Sequence, residues 1–132
     1  MQIIDKIALI VTNNGKVLST KSKGKSKYYL PGGKREEGET DEDTLVREIL
    51  EELSVHIKTD TITYIGTFSA QADAAADGVI VKMTCYTAIY EGELVAANEI
   101  EEVVWLNYKD LNKVSAVDKI IFKFLKDNRQ LY

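Results

Sequence analysis

The strongest constraint on this chain is a change of hydrophobic period between residues 33 and 55. Leu45, Ile49 and Leu53 recur every fourth residue, a spacing that predicts a helix over 41–53 burying one stripe. Thr40 is placed to cap its first turn, and Asp41, Glu42 and Asp43 set negative charge against the positive helix end. Around this segment the pattern is that of strands. Residues 3–11 form a mostly apolar run, Asn13-Asn14-Gly15 carries the strongest short hairpin signal, and 16–20 reads as the return strand. Residues 61–69 are rich in β-branched and aromatic types, and 72–78 reads as a small-residue loop. Val81, Met83 and Cys85 alternate with Lys82, Thr84 and Tyr86 in a long strand expected to run to Ile89, with Glu91-Gly92 turning it. A short strand over 103–106 and an amphipathic helix over 114–126 close the chain. The order strand, strand, helix, three strands, helix predicts an α+β fold with a mixed β-sheet. No repeat or linker interrupts the 132 residues, so 1–132 is expected to be a single domain.

Composition narrows the function classes. Seventeen Lys and Arg against twenty-one Asp and Glu give a net charge of −4, which argues against a dedicated nucleic-acid surface. No apolar run approaches the roughly 20 residues of a membrane helix, and Met1-Gln2-Ile3-Ile4-Asp5 lacks the order of a signal peptide. One cysteine, Cys85, cannot form an internal disulfide, so a cytoplasmic location is the default expectation. Monomer and homodimer are both compatible with the sequence.

The helix also carries the chemistry. Glu48, Glu51 and Glu52 stand at i, i+3 and i+4 and project into one sector. Like charges so placed destabilise an isolated helix, whereas three oxygen donors on one face suit a hard divalent cation, Mg²⁺ or Mn²⁺. Arg47 and Glu39 can supply an ion pair that orients this ridge. A solvated acidic face is the bland alternative; the glycine-rich turn leading into the same helix weighs against it.

These residues resemble the signature of the Nudix hydrolases, G-x5-E-x7-R-E-U-x-E-E-x-G-U with U aliphatic. Gly33, Glu39, Arg47, Glu48, Ile49, Glu51, Glu52 and Val55 fill it in register over residues 33–55. Ser54 departs from it, standing where the family has glycine in a left-handed conformation, at a cost of about 1 kcal/mol. The resemblance implies a Nudix-type α/β/α sandwich and an Mg²⁺-dependent hydrolase that cleaves a nucleoside diphosphate linked to a group X. It implies metal ligation by Glu48, Glu51 and Glu52, with a backbone carbonyl from Gly32-Gly33, and a further acid, Glu99, six residues before Trp105. The general base would be one of Glu48, Glu52 and Glu99, with Arg47 and Glu39 completing the catalytic set. For substrate it points to Lys21, or Lys23 in its place, on phosphate, and to Asp118, loosely aligned with a purine-reading Asn. Tyr29, with Tyr28, stands beside the turn as a stacking platform or a pocket wall.

The leading expectation is a MutT-like nucleoside triphosphate pyrophosphohydrolase acting on a small-molecule nucleotide. The alternatives are hydrolysis of ADP-ribose, a dinucleoside polyphosphate or capped RNA, and a catalytically silent nucleotide-binding domain. The intact ridge weighs against the silent reading. His56, Cys85 and Trp105 carry only structural expectations: a helix-end residue, a small buried strand residue and a core aromatic.

Overall fold

A computed structural model describes residues 2–72 and 78–132, so the stretch 72–78 lies outside the described residues except for its two ends. Along the chain run β1 (Gln2–Leu9), β2 (Thr12–Asn13), β3 (Lys16–Ser22), β4 (Gly32–Gly33), α1 (Asp41–Leu53), β5 (His56–Ile57), β6 (Thr63–Gln71), β7 (Val79–Thr87), β8 (Tyr90–Glu91), β9 (Ile100–Leu106) and α2 (Ala116–Asp127). The main sheet has the order β4-β1-β7-β6. In it β1 and β7 are parallel while β4 and β6 join antiparallel, so the sheet is mixed. A second sheet, β2-β3-β9, is antiparallel, and β5 pairs with β8.

Strand β1 shows why two helices are needed. Its side chains alternate across the sheet. Ile7 and Leu9 join Leu45, Ile49 and Leu53 of α1 in one apolar cluster. Ala8, followed by Ile10, joins Ile121, Phe122 and Leu125 of α2 in another, together with Met83 and Cys85 of β7. The sheet is therefore covered on both faces, giving the expected α/β/α sandwich. Leu45, Ile49 and Leu53 are fully buried. Each contributes about 1.5–3 kcal/mol relative to exposure, and that holds α1 at a fixed height on the sheet.

Several expectations change in detail. The run 3–11 and the segment 16–20 meet only at their ends, where the Leu18 N–H donates to the Val11 carbonyl at 2.9 Å. Only Thr12–Asn13 and Lys16–Val17 form the hairpin, through Asn14 and Gly15 at φ 53° and 77°. β1 pairs instead with β7 and β4, since an apolar strand buried on both faces is best satisfied inside the main sheet. The strand expected to reach Ile89 ends at Thr87, and Tyr90–Glu91 form a separate strand beside β5. The late strand starts at Ile100 rather than 103, and α2 begins at Ala116, capped by the Ser115 hydroxyl.

Candidate active site

The two glycines of β4 bring backbone into close contact with both β1 and α1. Gly32 has φ +144°, and a Cβ there would collide with the Ile7 carbonyl. A Cβ on Gly33 would collide with the Glu48 carboxylate. Glycine is thus required by the backbone at Gly32, while at Gly33 it leaves the room that the Glu48 carboxylate occupies. The Gly32 N–H donates to Glu52 Oε1 at 3.1 Å.

Arg47 organises one side of the ridge. Its Nε and Nη2 donate to the two oxygens of Glu39 at 2.7 and 2.9 Å. Its Nη1 donates to Glu48 at 2.6 Å and to Glu51 at 3.4 Å, and Nη2 also reaches the Lys34 carbonyl at 3.1 Å. Glu39 accepts further hydrogen bonds from the Thr44 hydroxyl and the Glu36 N–H. The Arg47 fork, with these donors, holds the Glu39 carboxyl down at about 2.

Glu52 is the opposite case. It is buried, and removal from water pushes its carboxyl up to about 8, with Glu48 and Glu99 adding repulsion. Burial also raises Glu48, against the pull of Arg47. Among the described residues no three acidic side chains converge on one point: Glu48 and Glu51 face Arg47, and Glu52 faces the Gly32 N–H.

Glu99 reaches this region through the end of α1. The last carbonyls of the helix are taken up by the segment preceding Glu99. Asn98 Nδ2 donates to Glu51 O at 2.8 Å, Ala97 N–H to Glu52 O at 3.1 Å and Val95 N–H to Leu53 O at 3.0 Å. Ser54 takes the left-handed conformation at φ 64°, as the family's glycine would, and its hydroxyl donates to the Val95 carbonyl at 3.0 Å. This docking lays Glu99 beside Glu52 in a cavity of about 260 Å³ that also includes Gly32 and Gly33.

The remaining candidates divide. Tyr29 lines this cavity and a second one of about 210 Å³. Lys21 lines neither; its ammonium pairs with Glu101 at 3.3 Å and Glu102 at 3.7 Å. Lys23 lies outside the lining too, its N–H donating to the Glu99 carbonyl. Asp118 is fully buried in the first turn of α2, where Oδ2 accepts from the Leu30 N–H at 2.8 Å, and it lines neither cavity. Tyr28 donates to Glu102 at 3.1 Å. His56 is exposed, Cys85 is buried, and Trp105 packs against the α1 cluster.

Two cations that sequence reasoning passed over, Lys6 and Lys25, line both cavities. For Lys6 a signal was present. It shares strand parity with Ile4 and Ala8, so a charge there points inward from an otherwise apolar run.

A family model described as NUDIX domain matches residues 4–127. The chain is 30% identical over 117 residues to an ADP-ribose pyrophosphatase of Methanocaldococcus jannaschii, a match covering 86% of this chain and 68% of that protein. Its fold is similar to that of a MutT protein from Methanosarcina mazei Go1, with TM-score 0.77, 16% identity, and 98% and 96% of the two chains covered. It is also similar to that of a MutT NUDIX hydrolase from Burkholderia pseudomallei, with TM-score 0.74, 22% identity, and 93% and 98% covered. No helix among the described residues is long and apolar enough to cross a membrane.

Proposed function

The chain belongs to the NUDIX domain family, and from that premise we propose that it is an Mg²⁺-dependent pyrophosphohydrolase of nucleoside triphosphates. The observation that carries this reading is Glu52, a buried carboxylate at the cavity wall with Glu48 and Glu99 close enough to repel it. The pull of Lys6 on this acid is outweighed by burial and by its acidic neighbours, and the carboxylates around it are hard oxygen donors. That is the chemistry of a Mg²⁺ or Mn²⁺ site. Glu48, Glu51, Glu52 and a carbonyl of the Gly32-Gly33 turn would hold the ion, with Glu99 as a further ligand. Bound there, it would supply charge neutralisation on the phosphate oxygens and ease proton loss from water.

The chain's own residues then have distinct tasks. Arg47, anchored by Glu39, fixes the rotamers of Glu48 and Glu51, so the ridge is orientated before substrate arrives. One of Glu48, Glu52 and Glu99 would take the proton from the attacking water through a carboxylate oxygen turned towards it. Lys25, rather than Lys21 or Lys23, lines the cavity beside the carboxylates and offsets the charge of the bound polyphosphate. Positioning and electrostatics of this kind supply most of the catalysis in phosphoryl transfer.

One observation favours a second reading: the 30% identical relative is an ADP-ribose pyrophosphatase. The deciding experiment incubates the protein with Mg²⁺ and a panel of nucleoside triphosphates, ADP-ribose, dinucleoside polyphosphates and capped RNA, and identifies both products. Pyrophosphate with a nucleoside monophosphate is the expected outcome. AMP with ribose phosphate moves the assignment to ADP-ribose, and silence across the panel leaves a nucleotide-binding domain without turnover.

A further inference from the structure

The two cavities share Lys6, Lys25, Tyr29 and Met83, so they are lobes of one cleft. The first lobe ends on Glu52, Gly33 and Glu99. The second passes over Ile4 and Val81 to Gln71 of β6 and Ser115 at the start of α2. A nucleotide with its phosphates on the carboxylates therefore extends its nucleoside into the second lobe. At about 210 Å³, with Ile4, Val81, Met83 and Val117 as apolar wall and lysine, Gln71 and Ser115 as polar groups at its rim, that lobe suits a purine.

Lys6 stands where the lobes meet. Its ammonium lies 5.5 Å from the centroid of the Tyr29 ring, a contact that limits its freedom. Asp118 and Glu52 attract it, while Lys25 and Lys34 repel it. Burial depresses its pKa, the mark of an ammonium partly withdrawn from water. An ammonium donates three hydrogen bonds and accepts none. The 6-oxopurine edge offers two adjacent acceptors, O6 and N7, whereas adenine sets an amino donor at the first of these positions. The sequence pointed to Asp118 for base reading, but that side chain is fully buried and bonded to the Leu30 N–H.

We infer that Lys6 is the base-selecting residue of the cleft, donating to the O6/N7 edge of a 6-oxopurine and disfavouring adenine. The inference rests on the nucleotide-hydrolase reading, and its test separates the two. Lys6→Met keeps length and removes the donors; Lys6→Gln keeps a donor and adds an acceptor, which suits adenine. For each protein kcat/KM is measured on GTP and ATP with Mg²⁺, and binding of GMP and AMP is measured by calorimetry without metal.

Wild type should favour guanine in both assays. Lys6→Met should reduce the guanine-to-adenine ratio about tenfold, and Lys6→Gln should move it towards adenine. A fall of equal size for both bases in Lys6→Met assigns Lys6 to phosphate and overturns the proposal. So does an unchanged ratio, or equal binding of GMP and AMP by wild type. Should Lys6→Met fail to fold, Lys6→Gln alone decides by the direction of its shift. Should wild type cleave no nucleotide, the hydrolase reading falls while the monophosphate binding still judges Lys6.

Discussion

Glu39 and Glu52 are the same amino acid at the two ends of one signature, and their surroundings drive them in opposite directions. Glu39 meets a bidentate guanidinium, a hydroxyl and a backbone N–H, and its carboxyl is held at about 2. Glu52 has the Gly32 N–H and a buried position beside other acids, and its carboxyl is pushed up to about 8. The first charge is consumed within the fold. The second carboxyl keeps its proton near neutral pH, and a buried carboxyl so poised gives up that proton readily only to something that brings positive charge beside it. One region of the site is thus complete without ligand, and on the proposed reading the other is completed by the ion.

The largest effects should fall on the incomplete side. Glu52→Gln should reduce turnover by more than about a hundredfold, since it removes a charged oxygen donor from the ion site. In chelator the same variant should melt higher than wild type. A carboxyl that titrates at about 8 when folded, against an ordinary value of 4.5, makes the folded state less stable as pH rises between them. The advantage of the variant should therefore grow from pH 4.5 to pH 8, a trend that thermal melts across this range will register. A variant that melts lower throughout would mean that Glu52 is as settled as Glu39.

Arg47→Ala tests the complete side. Loss of the fork leaves Glu39 and Glu48 half-buried without their partner, so the melting temperature should fall by about 5 °C or more along with the rate. A rate loss with an unchanged melting temperature would place Arg47 in direct contact with substrate. Glu39→Gln probes the same clasp by pH. With the folded carboxyl at about 2 and the ordinary value at 4.5, the stability it adds is complete above 4.5 and is lost as pH falls towards 2. Wild type should therefore lose stability more steeply than Glu39→Gln over that acid interval, as denaturant titrations at successive pH values would read out.

The smallest effect concerns the helix end between the two regimes. Ser54→Gly relieves the left-handed backbone but gives up the hydrogen bond to Val95. The two changes offset to within about 1 kcal/mol, so its melting curve should lie close to that of wild type. A larger loss would show that the Val95 contact, and with it the approach of Glu99, depends on this serine.

What the sequence made legible follows the range of the forces involved. Helix α1 was readable to its ends because its stripe, its Thr40 cap and its first-turn acids are all local. Arg47 and Glu39 were readable because they lie on one motif and one turn apart from its helix. The partners of β1 were not, since residues 2–9 and 79–86 meet only through the sheet. The same holds for Asn98, whose amide caps Glu51 O across the chain, and for Lys6, whose inward direction is visible only as strand parity. For Asp118 the sequence allowed either base reading or a place at the helix start, and the side chain sits in the first turn of α2 holding the Leu30 N–H.

The parallel pairing of β1 with β7 also sets an order of events during folding. Helix α1 with its cap is a short-range structure and can form early, but the strand it packs on has only the two residues of β4 beside it until β7 has found it across some seventy residues. Until that encounter, the carboxylate ridge rides over a sheet still missing its central parallel pair. A divalent ion that needs the finished ridge should therefore slow unfolding far more than it speeds folding.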